Sequence, residues 1–346
     1  MAKDFFIKES QLDDYQLELL NRTLDRSLVV SGCAGSGKSV IALHKAKRIQ
    51  NEYGNDYTII VYTKALSRYM NSGRNAIGLN NDFTYHWNWK NRRNCPQSDY
   101  IIVDEIQDFT REEINEFKQA TRKHFFFFGD TAQSIFGKFK DTPSIRDIAY
   151  EANLSEMPLY FNYRLPKTVA RITESWIGVG TKYNEGTYKS EEIEIPRVIN
   201  YPSFELQLEA IARIIKNRHL TDVGILFPRG DLVKTASEYL KQKSLNVEVQ
   251  YNDNRDFRNS RNDLNFESTN PKIMTFHSAK GVQFETVFIP DCTMNGNEDD
   301  RKALYVAMTR TCKNLYIMYS GKLSPFFDAV PENLHKTSEF DTIGEI

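Results

Sequence analysis

Residues 31–40 read SGCAGSGKSV, and within them Gly32, Gly37, Lys38 and Ser39 satisfy the pattern GxxxxGK[ST]. An apolar run, Leu28-Val29-Val30, precedes the motif, and Ile41, Ala42, Ala46 and Ile49 follow it at helical spacing. Strand, glycine turn and helix in that order form the context that a phosphate-binding loop requires. The sequence from Gly32 through Gly35, Ser36 and Gly37 lets backbone N–H groups curl round phosphate oxygens. The following helix aims its positive end at them, Lys38 adds a point charge, and the Ser39 hydroxyl can ligate Mg2+. The chemistry indicated is nucleoside triphosphate binding, and the alternative is a glycine-rich surface turn.

The rest of the chain extends the same architecture. Short apolar runs alternate with helical patterns, as expected of parallel sheets with crossover helices. In the first half these runs are SLVVS (27–31), YTIIVYT (57–63), YIIVDE (100–105) and HFFFFGD (124–130). In the second they are RVINY (197–201), DVGILFP (222–228), NVEVQY (246–251), KIMTFH (272–277), TVFIPD (286–291) and NLYIMYS (314–320). Phe204, Leu208, Ile211, Ala212 and Ile215 mark a helix after the first of these. The fold class expected is α/β with two mainly parallel sheets, in domains covering 1–155 and 156–346. Residues 251–270 are rich in Asn, Arg and Asp and read as a polar loop or insertion, whose Arg255, Arg258 and Arg261 either meet a phosphate backbone or face solvent.

Composition limits the partners. With 45 Lys plus Arg against 46 Asp plus Glu, no global basic field advertises nucleic acid, so any such binding needs a local surface. No apolar run is long enough to span a bilayer, and the charged start MAKDFFIKESQLDDY does not read as a signal peptide. Cys33, Cys95, Cys292 and Cys312 lack metal-ligand spacing and suit a reducing cytoplasm. Cys33 reads as a filler within the glycine turn.

IIVDEIQDF (101–109) supplies a second element of a nucleotide site. Its apolar strand ends in Asp104-Glu105, so two carboxylates emerge where α/β sheets place their ligands. Asp104 can hold Mg2+ through water, and Glu105 can orient and deprotonate an attacking water.

DEIQD, with Gln107, resembles motif II of the superfamily 1 helicases related to UvrD and Rep. Further matches follow in order over nearly the whole chain: Gln16 at the Q-motif spacing, GDTAQSIFG (129–137), NYR (162–164), MTFHSAKGVQFETVFI (274–289) and LYVAMTR (304–310). The resemblance implies two RecA-like P-loop NTPase domains in tandem with ATP and Mg2+ held in the cleft. It further implies Gln16 on the adenine edge, Tyr163 stacked on adenine, Gly281 and Gln283 among the nucleotide contacts, and Gln133, Arg164 and Arg310 on the γ-phosphate. A P-loop kinase or small GTPase would not account for Gln16, NYR and VAMTR together.

The same resemblance implies a track of single-stranded nucleic acid, expected to be DNA, walked 3' to 5'. VYTKA (61–65) supplies Tyr62 and Thr63, and FTYHWNWKNRR (83–93) supplies His86 and Trp87 among basic residues, a mixture suited to a single-strand groove. Core packing is the alternative for each aromatic. Phe136 occupies a stacking position, and Thr275 and His277 are phosphate or ribose contacts. Three features depart from the family pattern. Lys138 stands where a tryptophan is expected, Gln283 replaces a glutamate, and the short interval from His86 to Asp104 leaves no room for an accessory domain. Two functions follow: a nucleic-acid-dependent ATPase acting as translocase or helicase, or an ATP-operated switch serving a protein partner such as a nuclease in DNA repair or phage defence.

Overall fold

A computed structural model describes residues 7–91, 95–130, 141–178, 184–190, 194–251 and 260–339. The chain divides into two units, Met1–Tyr163 and Arg164–Ile346.

The first unit is built on a six-stranded sheet in the order β3-β2-β4-β5-β1-β6. Its strands are β1 (Leu28–Gly32), β2 (Tyr57–Val61), β3 (Phe83–Tyr85), β4 (Ser98–Asp104), β5 (Thr121–Gly129) and β6 (Glu156–Leu159). Every pairing is parallel. Strands covered on both faces must be apolar throughout, and Ile101, Ile102, Val103, Phe126, Phe127 and Phe128 are indeed fully buried. The crossovers are α1 (Asp14–Asn21), which leads into β1, α2 (Lys38–Tyr53), α3 (Lys64–Ile77), α4 (His86–Asn91), α5 (Arg111–Ala120) and α6 (Ile145–Glu151). Helix starts are chemically marked. Asp13 with Gln16, Thr110 with Glu113, and Ser144 with Asp147 form reciprocal capping boxes. Phe109, Ile114, Phe117, Ile145 and Ile148 pack against Ile101, Val103 and Phe127 to make the core on one face.

The division between units falls eight residues beyond the expected 155/156, because β6 pairs with β1 from Val29↔Glu156 to Gly32↔Leu159 and so belongs to the first sheet.

The second unit carries an eight-stranded sheet in the order β10-β9-β11-β8-β12-β13-β7-β14. The strands are β7 (Arg197–Asn200), β8 (Val223–Phe227), β9 (Glu248–Tyr251), β10 (Arg261–Asn262), β11 (Lys272–Thr275), β12 (Phe284–Ile289), β13 (Thr311–Tyr319) and β14 (Lys336–Glu339). Only the β10–β9 pairing is antiparallel among the described strands. Arg261 therefore sits in a short edge strand, whereas Arg255 and Arg258 lie outside the described residues. Helices α7 (Lys167–Ile172), α8 (Phe204–Asn217), α9 (Gly230–Gln242) and α10 (Glu298–Met308) complete the unit. Leu208, Ile211 and Ile215 of α8 join Ile225, Phe227, Val249 and Ile273 in its core. The protein is thus α/β, with two mainly parallel sheets consistent with tandem RecA-like domains. No helix among the described residues is long and apolar enough to cross a membrane.

Candidate active site

In the first unit the glycine turn leaves β1 and enters α2 through Gly35 and Gly37, both with left-handed φ (+81° and +88°). Five successive carbonyls of this turn are engaged. Lys38 Nζ donates to Gly32 O at 2.7 Å and Cys33 O at 2.9 Å. Asn162 Nδ2 donates to Ala34 O, Tyr163 N to Gly35 O at 3.0 Å, and Gln16 Nε2 to Ser36 O at 3.1 Å. Side chains from α1 and from the segment after β6 therefore pin the loop's acceptors. The Gln16 amide is used at both ends, since its Oε1 accepts from Asp13 N at 3.2 Å.

Asp104 ends β4 and is buried beside the loop. Ser39 Oγ donates to Asp104 Oδ2 at 2.5 Å, and Glu105 N donates to Asp104 Oδ1 at 3.0 Å. Burial, followed by the neighbouring Glu105, raises the Asp104 carboxyl above the usual carboxylate range; Ser39 and Lys38 oppose this. Glu105 is itself buried, in left-handed backbone (φ 59°) that a residue with a side chain adopts only under constraint. Gln107 Nε2 donates to Glu105 Oε2 at 2.5 Å.

These residues fit a nucleotide phosphate with a divalent cation. Ser39 Oγ and the Asp104 carboxylate are the hard oxygen donors that Mg2+ takes. Ser36 Oγ and Tyr163 OH are buried with no hydrogen-bond partner among the described residues. The described residues contain no cluster of three or more His, Cys, Asp or Glu that could hold a metal ion.

In the second unit Arg164 and Arg310 converge on Thr309. Arg164 Nη1 donates to Gln283 Oε1 at 3.0 Å and Nη2 to Thr309 O at 3.1 Å. Arg310 is 2% exposed and donates through Nε to Val306 O at 2.9 Å, and through Nη2 to Thr309 Oγ1 at 3.0 Å. Gly281, two residues before Gln283, has φ +83°.

Residues expected on the nucleic-acid side separate by burial. Tyr62 and His86 are buried (9% and 4% exposed), stacked at 4.9 Å with His86 Nδ1 against Tyr62 O. The Thr63 hydroxyl accepts from Leu66 N and caps α3. Trp87, at 45%, is exposed on α4. Thr275 Oγ1 accepts from Ser278 N at 3.2 Å, closing the turn after β11. Burial, with Lys280 beside it, lowers the His277 pKa. Gln133, Phe136 and Lys138 lie outside the described residues. Asn162 was visible within NYR without any role, and the signal that reveals it is the loop carbonyl it meets.

The sequence matches two family descriptions: the viral superfamily 1 RNA helicase core domain over residues 28–239, more than half of the chain, and the UvrD-like helicase C-terminal domain over 272–318. DNA helicase II of Rickettsia typhi is 33% identical over 72 residues, covering 17% of this chain and 11% of that protein. ATP-dependent DNA helicase Rep of Buchnera aphidicola subsp. Baizongia pistaciae is 26% identical over 189 residues, covering 51% of this chain and 23% of Rep. The chain thus spans about a tenth to a quarter of the length of these curated relatives. A solved C-terminal domain of a possible DNA helicase from Lactobacillus plantarum aligns with TM-score 0.39 and 18% identity, covering 51% of this chain and 98% of that one. With the ordered motifs from Gln16 to Arg310 and the match across both sheets, the chain belongs to the superfamily 1 helicases and has a UvrD-like C-terminal domain.

Proposed function

We propose that this protein hydrolyses ATP and uses the turnover to move along single-stranded DNA, as a UvrD-like translocase or helicase. The hydrogen bond between Ser39 and Asp104 carries the reading, because it joins the glycine-loop helix to the end of β4 and puts a hydroxyl and a buried carboxylate beside Glu105. Ser39 and Asp104 would hold Mg2+, which would supply positive charge to the substrate's phosphate oxygens. Lys38 and the loop N–H groups bind those oxygens, and Glu105 takes the proton of the attacking water. Arg164 and Arg310 stabilise charge developing on the transferred phosphoryl group, an effect worth roughly 10³ to 10⁵ in rate in related NTPases. Trp87 offers its exposed ring to a base.

A second reading is an ATP-operated switch within a DNA repair or defence complex, controlled by a protein partner. The burial of Tyr62 and His86 favours it, since buried rings cannot stack on bases. Steady-state ATP hydrolysis with and without single-stranded DNA or RNA, using Glu105→Gln as the blank, separates the two. Stimulation by DNA supports the motor. Glu105-dependent hydrolysis indifferent to both polymers supports the switch, and stimulation by RNA alone replaces the track.

A further inference from the structure

Gln107 lies within the DEIQD motif yet has no assigned part in the chemistry. It is 1% exposed, and its carboxamide is used at both ends: Nε2 donates to Glu105 Oε2 at 2.5 Å, while Oε1 accepts from Asp130 N at 2.9 Å. The space it fills has been kept open by a glycine. A Cβ on Gly129 would lie 2.5 Å from Gln107 Oε1, 2.5 Å from Ile145 Cδ1 and 2.8 Å from Ile106 Cγ2. Such separations are well inside van der Waals contact, so any side chain there displaces the carboxamide or its neighbours.

We propose that Gln107 is a positioning residue that holds the Glu105 carboxylate in its working direction by tying it to the backbone at the end of β5. The assignment rests on the reading of Glu105 as the proton acceptor. Three observations support it. Glu105 occupies left-handed backbone at φ 59°, a strained conformation that persists only where surroundings over-determine it. One Glu105 restraint is local, through its own N–H to Asp104 Oδ1; the Gln107 bond acts instead on the side-chain oxygen that would receive the proton. A carboxamide is also the one group of this length that donates to a carboxylate and accepts from an N–H at once. Glutamate at 107 would oppose Glu105 with like charge, and methionine would fill the volume with neither bond. The arrangement also makes the base sensitive to β5, because a shift of the Asp130 N–H is felt by Glu105 through one side chain.

The test is a double-mutant cycle with Glu105→Gln, read as kcat and ATP KM separately. Gln107→Met is expected to lower kcat about tenfold or more, within the span a positioned base contributes, while KM changes less than about twofold and the variant melts cooperatively. In the Glu105→Gln background Gln107→Met is expected to have no further effect on residual turnover, because a residue acting through Glu105 has nothing left to position. Gly129→Ala, which leaves Gln107 and Glu105 themselves unchanged but crowds the Gln107 carboxamide, is expected to reproduce the kcat loss. Equal losses in both backgrounds, or a loss in KM alone, would make Gln107 a general structural residue and overturn the proposal. A Glu105→Gln protein with normal turnover defeats the reading of the base itself. Dead Glu105→Gln beside fully active Gln107→Met defeats only the positioning role.

Discussion

Arg164 donates through Nη1 to Oε1 of Gln283 at 3.0 Å, so the arginine that closes the NYR motif is held by the residue standing where a glutamate was expected. Its other arm reaches Thr309 O, the carbonyl that follows α10, where a cation is favoured by the helix dipole. Lysine keeps the charge but cannot span both acceptors with a planar fork. Arg164→Lys should therefore lower kcat by roughly tenfold or more while ATP affinity changes little, consistent with a charge used in the transition state. Single-turnover hydrolysis is the measurement, and a wild-type rate would remove Arg164 from that role.

Gly37 and Gln16 are coupled by close approach. Gly37 sits at φ +88°, and a Cβ there would lie 2.4 Å from Gln16 Nε2, the atom bonded to Ser36 O. Gly37→Ala adds left-handed strain and ejects the glutamine, whereas Gln16→Ala removes only the clamp and half of the α1 capping box. Nucleotide affinity, measured with a fluorescent ATP analogue, should fall more than about tenfold for Gly37→Ala and less for Gln16→Ala. Equal affinities for Gly37→Ala and wild type would show that the loop's geometry does not set binding.

Lys45 gives a prediction in pH. It is fully buried on α2 with Nζ donating to Arg22 O at 2.5 Å, and burial, reinforced by Arg48, lowers its pKa from 10.5 to about 8. The unfolded chain therefore binds the extra proton between these values. The stability linked to this group is present above pH 10.5 and is lost as pH falls through 8. Lys45→Met removes the titration. Its melting temperature relative to wild type should rise as pH falls from 10.5 to 8 and then level off. A difference that stays flat across that window would show that Lys45 is not perturbed.

The fold was legible where both faces of a strand are buried. The runs at 101–103 and 126–128 announce themselves because every side chain there is fully buried and must be apolar. Edge strands escaped for the opposite reason: Phe83–Tyr85 is three residues long, Glu156–Leu159 contains Pro158 and ends the first sheet, and Lys336–Glu339 is polar. The Ser39–Asp104 bond, across 65 residues, was readable because two motifs each carry half of it. Gln107 and Asn162 stood inside recognised motifs without a role, since their partners are backbone atoms, Asp130 N and Ala34 O, whose direction no residue pattern encodes. Tyr62 and His86 show the same limit, because aromatic residues among basic ones look alike whether they face bases or the core.

That ambiguity yields the last prediction, in which neighbouring aromatics respond differently. Trp87 is 45% exposed on α4 beside His86, and the rings of Tyr62 and His86 are buried against Phe109. Base stacking on an aromatic contributes about 1–3 kcal/mol per base. Trp87→Ala should therefore weaken single-strand binding by roughly tenfold and leave the melting temperature and the ATP affinity of the free protein close to wild type. Tyr62→Ala leaves a cavity beside Phe109 and removes the ring stacked on His86, so it should cost about 3 kcal/mol of stability. Fluorescence anisotropy with a short oligonucleotide, run beside thermal melts, reads both. Unchanged strand affinity in Trp87→Ala would return that ring to a structural part. A fully stable Tyr62→Ala with lost strand binding would mean that the ring turns outward to meet the track, and that the burial of Tyr62 against Phe109 is one of two arrangements the first unit can adopt.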